Sequence, residues 1–252
     1  MPDESTQQMV RAWLGIAVQV GVAATAIYLD RIRKWLGRPK LKVEARTAPP
    51  DSDLTFFPLE LSDTEGKAVG VERAHCHYFR LRVRNEGGQL AEKVEIYVEF
   101  LERLQVDSTF KLVDKFPPMN LKWAHTGGTT RDLARGMEKF CDLGFIVDPR
   151  GVKKNDAAFA PERARSNESS KPDAAVFTFD LEVKPNHAFH IVIPGTYRAH
   201  LAVGAANVEP IRLCLEMTFS GNWFDDTARM YSEGILFKFI DVKNQAFISS
   251  LR

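Results

Sequence analysis

The chain has 252 residues, 44% hydrophobic and 27% charged, a globular composition that excludes collagen-like, low-complexity and wholly disordered classes. Lysine plus arginine, at 34, nearly balance aspartate plus glutamate, at 33, so the net charge of +1 gives no basic field for a nucleic-acid partner. Cys76, Cys141 and Cys214 are too few and too widely spaced for a disulfide framework and fit free thiols in a reducing compartment.

Residues 1–11 read as a short extramembrane peptide. Ala12 to Leu29 then run without a formal charge, covering about 27 Å at helical rise, close to the apolar thickness of a thin bilayer. Segment 12–42 is therefore read as one N-terminal transmembrane helix followed by a basic juxtamembrane stretch. Trp13 at one end and Tyr28 and Trp35 at the other suit the two interfaces, and Gly37 with Pro39 ends the helix. Arg31, Arg33, Lys34, Arg38, Lys40 and Lys42 follow the run, whereas Arg11 stands against Asp3 and Glu4 before it. The positive-inside rule then puts the N-terminus outside and the large C-terminal part on the cytoplasmic face of the cell (inner) membrane. The same basic cluster is a lipid contact, worth about 1 kcal/mol per residue near an anionic surface. Two other readings stay open: a cleaved signal peptide with Ala24-Thr25-Ala26 as its small-residue site, and a long buried helix of a soluble protein. Ala17, Gly21 and Thr25 form a small-residue stripe through which the helix could make a homo-oligomer, with Gln19 available to hydrogen-bond across it.

From Val43 onward the period becomes two. In His75–Arg84 the residues His75, His77, Phe79, Leu81 and Val83 share a face, opposite Cys76, Tyr78, Arg80, Arg82 and Arg84. Asn85-Glu86-Gly87-Gly88 breaks that strand, and Val94–Phe100 follows with Val94, Ile96, Val98 and Phe100 inward. Further strands are expected at 54–61, 110–113, 121–124, 140–147, 176–183, 189–193, 197–203 and 211–219. Asp148 to Ala175 is polar and nearly free of large apolar residues, which predicts a long mobile loop near 148–175; 125–136 reads as a shorter one. After Trp223, Asp225 and Asp226 open a short helix, and Ile235–Ile240 reads as a last strand. Many short strands without interleaved helices predict a mainly β fold, an antiparallel sandwich over 43–252.

Ile193-Pro194-Gly195-Thr196-Tyr197, continuing through Val203 and Asn207, resembles the turn-and-strand signature of fibronectin type III and related immunoglobulin-like domains, one residue shorter between Thr196 and Tyr197. Val83, Asn85 and Gly87 within Phe79–Val98 resemble strands of bacterial membrane-anchored, cell-envelope immunoglobulin-like modules. The resemblance implies an immunoglobulin-like β-sandwich, a fold that mostly binds or spaces other molecules.

Four constellations bear on chemistry. His75 and His77, two imidazoles on one strand face, could share a metal with His187 and His190, although buried or rim histidines need no metal. Pro172-Asp173 with Glu182-Val183-Lys184 superficially matches a magnesium-nuclease pattern. Cys141-Asp142 would need a base such as His125 to act as a nucleophile. The outward stripe Arg80, Arg82 and Arg84 could dock an acidic protein segment or anionic lipid, but reads more simply as cross-strand pairing with Glu95 and Glu99. No catalytic set and no cofactor are assigned. The leading expectation is a single-pass membrane-anchored binding or scaffolding module with a protein partner. The alternatives are a membrane-tethered metal-dependent hydrolase or nuclease, and an exported envelope binding domain.

Overall fold

The structure is a computed structural model that describes residues 37–62, 68–116, 118–154, 159–171, 173–183 and 185–241, together with 13, 16, 18–22 and 24–29; side chains at 58–62, 68–72, 153 and 154 are excluded. Among the described residues, thirteen strands form two antiparallel sheets. The first has the order β1 (Leu41–Ala45), β3 (Ala68–Asn85), β8 (Glu138–Val147), β9 (Phe177–Phe179) and β10 (Ile191–Val192), with β2 (Ser52–Ser62) also on β3. The second has the order β13 (Ile235–Ile240), β12 (Val208–Phe219), β11 (Gly195–Ala205), β4 (Ala91–Leu104) and β5 (Phe110–Leu112), with β6 (Met119–Asn120) and β7 (Arg131–Leu133) also on β4.

Alternation makes the core. Phe79, Leu81 and Val83 of β3 meet Val94, Ile96, Val98 and Leu101 of β4, and Leu201 and Val203 of β11, in one buried cluster that draws on both sheets. Trp123 lies inside it, its indole N–H shared between the carbonyls of Val94 (3.3 Å) and Thr129 (3.0 Å). Phe177 and Phe179 face the same core, but Thr178 between them and Asp180 after them are buried too, so the period of two does not separate core from solvent there. The strand expected to reach Val183 stops at Phe179, and Val183 is exposed.

The reason is a second layer. Segment 148–175, read from its polarity as a mobile loop, carries two short helices, α1 (Pro149–Lys154) and α2 (Ala160–Asn167). Phe159 plugs a satellite cluster of Ala74, Cys76, Phe145 and Val147 on the outward face of the first sheet. That face therefore buries Cys76, which strict alternation would have exposed.

The arginine stripe is also repartnered. β3 and β4 lie in different sheets, so Glu95 and Glu99 cannot stand beside it. Arg80 pairs instead with Asp142 (3.0 Å), Arg82 binds Asp51 (2.5 Å) and Glu138, and Glu99 pairs with Arg212 (3.1 Å). These are neighbours created by β8 and by the β1–β2 connection, which a single strand pattern does not reveal.

Two ends of β3 orient the molecule. At the Asn85 end, β1 delivers the chain from residues 37–40; at the Cys76 end, β8 finishes at Val147. The nine steps between them span about 30 Å. Beyond Cys76, residues 68–74 of β3 pair only with β2, a two-stranded ribbon that leaves the body of the sheet.

Asn85 is buried and fully engaged. Its Nδ2 donates to the carbonyls of Gln89 (2.7 Å) and Leu133 (2.9 Å), and its Oδ1 accepts from the amides of Lys40 (3.2 Å) and Gly87 (3.0 Å). A Cβ at residue 87 would collide with the Arg38 carbonyl and the Lys40 amide, so glycine there permits the close approach. Residues 37–40 are thus stitched to the β3–β4 turn rather than loosely appended.

In the N-terminal segment the backbone is helical at 18–22 and 24–29. No helix among the described residues is long and apolar enough to cross a membrane. Arg31, Arg33, Lys34 and Trp35 lie outside the described residues, as does Ala17. Trp13, Val18, Val20, Val22, Ile27, Tyr28 and Leu29 are all exposed, at 47–66%. Among the described residues these side chains make no contact with the core of the sandwich.

Candidate functional site

The clearest concave site lies at the Cys76 end. Asp148 follows β8 and caps α1: its Oδ1 accepts from the Arg150 amide (2.8 Å) and its carbonyl from the Val152 amide (3.0 Å). Arg150 folds back on the same carboxylate (2.9 Å) and reaches Asp225 (2.6 Å), which also accepts from the Trp223 indole (2.8 Å). The Trp223 indole and then the Arg150 guanidinium hold the Asp225 carboxyl below its ordinary pKa. On the opposite side, α2 begins at Phe159 and Pro161, and its Ser166 hydroxyl donates to the Ala174 carbonyl (2.6 Å).

Between α1, α2 and residues 173–176 runs a cavity of about 300 Å³, with Val147, Val152 and Val176 as apolar lining and Glu162 and Arg163 as charged lining. It shares Pro149 and Asp173 with an adjoining depression of about 400 Å³, bounded by Asp148, Arg150, Trp223 and Asp225. Together they make one groove of mixed polarity, in the size range of a small ligand or an inserted side chain. Asp148 and Asp225 are both engaged by Arg150, while Glu162 and Asp173 also line the groove.

His77 forms the wall beneath Trp223. Its Nε2 lies 2.9 Å from the Phe224 carbonyl, so Nε2 carries the proton, and its ring packs at a tilt against Trp223 at 4.7 Å and meets Tyr231 edge-on at 5.7 Å. Tyr231 sits in a short π-helical turn, Met230–Gly234, after α3 (Thr227–Arg229). Burial lowers the His77 pKa from its ordinary 6.5, opposed by the Phe224 carbonyl and more weakly by Asp225 and Asp53. An unfolded chain protonates this imidazole first, so stability is complete above about pH 6.5 and falls as pH drops below it. A His77→Gln variant is expected to lose that part of the slope, read from urea midpoints between about pH 5 and 7.5.

The proposed metal histidines do not converge. His75 is exposed and packs on Phe56 (4.7 Å), His77 is buried under Trp223, and His190 contacts the His187 carbonyl (3.1 Å) in the loop before β10, with the His187 ring against Phe189. Among the described residues, no group of three His, Cys, Asp or Glu could hold a metal ion. Asp173 and Glu182 flank β9 on opposite sides: Asp173 lines the groove, Glu182 accepts from the Gly128 amide (3.0 Å), and Lys184 lies outside the described residues.

Thiol chemistry fares no better. Cys141 is fully buried and donates to the Lys122 carbonyl (3.3 Å), while Asp142 binds Arg80 and His125 occupies a left-handed turn position. The sequence reading missed Cys214, whose Sγ lies 3.9 Å from His200 Nε2, itself 2.9 Å from Glu102. This resembles a triad only on paper, because one ring nitrogen faces both partners and cannot relay a proton between them. Burial raises Cys76 to about 12 and Cys214 to about 11, and lifts Cys141 well above its ordinary value. All three thiols are expected to resist a neutral-pH disulfide reagent in the folded protein and to react together on unfolding. A thiol that reacts in the native state at the rate of free cysteine would contradict this burial.

The groove was legible only in hindsight, from Asp148-Pro149 as a helix start and Phe159-Ala160-Pro161 as a second one. Tyr197, central to the immunoglobulin-like resemblance, is buried with its ring under the Arg103 guanidinium (5.6 Å), which donates to the Pro194 carbonyl (3.3 Å). Comparison with protein-family models, curated proteins and solved structures yields no match.

Proposed function

We propose that this chain is a single-pass membrane-anchored binding or scaffolding module that carries an immunoglobulin-like β-sandwich on the cytoplasmic face. The observation that carries the reading is the exposure of the N-terminal apolar residues: Ile27, Tyr28 and Leu29 are consecutive in a helix and therefore point in three directions, yet all are exposed. Such a surface needs a covering, and a bilayer supplies one. Thr25 Oγ donates to the Gly21 carbonyl (2.8 Å), so the hydroxyl is already satisfied within the helix, as an apolar surrounding demands.

The geometry of the sandwich supports a recognition role. The chain reaches it at the Asn85 end of β3, and the groove lies about 30 Å away at the Cys76 end. A tethered module of this layout offers the groove and the β2–β3 ribbon to a protein partner away from the bilayer. The test is alkaline extraction followed by protease access in right-side-out and inverted vesicles. Retention in the membrane, with cleavage of the C-terminal domain only in inverted vesicles, is the expected result. Cleavage in right-side-out vesicles would replace this topology with the exported one, and release by alkali would remove the anchor.

A further inference from the structure

We infer that the Asn85 end of the sandwich is itself a membrane-contact surface, lying on the interface of an anionic bilayer; the inference rests on the membrane-anchored reading above. Four chain segments meet at this end and are laced by two asparagines. Asn85 binds 37–40, the 86–90 turn and the 133–137 turn, and its own amide donates to the Met137 carbonyl (3.0 Å). Asn207, in the β11–β12 turn, donates to the Leu90 carbonyl (2.8 Å) and accepts from the Glu92 amide (3.1 Å).

These laced turns present apolar side chains outward. Leu90 is 42% and Met137 53% exposed, each on a turn whose backbone is fixed by the asparagines. Arg38, Lys40, Arg84, Arg135 and Lys139 are exposed at the same end and form no ion pair among the described residues; Glu92, Asp132 and Glu209 are exposed there too, while Glu86 is engaged by Lys42 (3.7 Å) and Glu138 by Arg82. Apolar tips within free cations are the pattern of a surface that dips into the headgroup region while its basic residues meet anionic lipid.

Chain length fixes the occupant. Only residues 30–36 separate Leu29, the end of the uncharged run, from Gly37, which lies against the Gly88 backbone at this end. Eight links reach at most about 28 Å even when fully extended. The Asn85 end is therefore tethered within about 28 Å of the bilayer, and Val106, in the β4–β5 turn, is at the opposite end of the sandwich.

The experiment uses the full chain reconstituted into phosphatidylcholine–phosphatidylglycerol vesicles containing a spin-labelled quencher lipid. Single substitutions Leu90→Cys, Met137→Cys and Val106→Cys are labelled with a small environment-sensitive fluorophore, the three native thiols being buried. The expected result is quenching at 90 and 137 about threefold greater than at 106, reduced when phosphatidylglycerol is omitted or when Arg135→Glu and Lys139→Glu are combined. A protein that floats with the vesicles but shows equal quenching at all three positions overturns this inference and leaves the anchor intact. A protein that does not float removes both.

Discussion

Replacing Asn85 with alanine is expected to destabilise the folded protein by about 2–4 kcal/mol, because it removes four hydrogen bonds to the backbone and leaves the buried Leu133 carbonyl without its partner. The side chain is buried, and all four of its hydrogen-bonding capacities are used on the backbone of Lys40, Gly87, Gln89 and Leu133. Asn85→Asp separates geometry from chemistry. The isosteric carboxylate keeps the acceptor but turns a donor into a second acceptor facing two carbonyls, so it should be at least as damaging as alanine. Thermal unfolding monitored by circular dichroism tests both: a midpoint lowered by roughly 10 °C is expected for either variant. An Asn85→Asp protein as stable as the parent would mean that the four bonds contribute little.

The second large effect is expected at Arg82. Asp51 is 1% exposed, and its two carboxylate oxygens are gripped by Arg82 Nη2 at 2.5 Å and Nε at 3.1 Å. Arg82→Ala leaves that carboxylate buried without its cation, a loss of about 3–5 kcal/mol. Arg82→Lys restores the charge but not the two-pronged geometry, so it should recover only part of this. The double variant Arg82→Ala with Asp51→Ala should be more stable than Arg82→Ala alone, because the orphaned charge is gone. Urea unfolding of the parent, Arg82→Ala, Asp51→Ala and the double variant reads the cycle directly. A double variant less stable than the single one would assign the Asp51 side chain a role beyond the pair with Arg82.

The sandwich was readable where one face of a strand meets one core. Val94, Ile96 and Val98 alternate with exposed or half-exposed residues because nothing covers the outer side of β4 there, and Ile235–Ile240 was read with its limits intact. Reading failed where a third layer covers the outward face. Cys76 and Thr178 are buried although their alternation parity points away from the core, and the segment that covers them, 148–175, has too few apolar residues to advertise a helix. One aromatic, Phe159, anchors that layer, and a single residue has no periodicity to detect. The arginine stripe failed for a topological reason: consecutive strands usually pair, but β3 and β4 cross between sheets, so the partners of Arg80 and Arg82 come from β8 and from Asp51. The candidate groove depends on these same long-range meetings, joining residues near 150, 163, 173 and 225.

The β2–β3 ribbon gives one strand two different stabilities. From Cys76 onward, β3 has hydrogen-bonded neighbours on both sides and Ala74 is still held by the cluster around Phe159, but over residues 68–73 β3 pairs with β2 alone. Two strands alone are marginal in water, so the outer ribbon can fray without exposing the common core. Amide hydrogen exchange should therefore step sharply along a single strand, with fast, denaturant-insensitive exchange outside Cys76 and exchange limited by global unfolding inside it. The protein thus carries a segment able to remodel on contact at almost no thermodynamic cost to the domain that holds it.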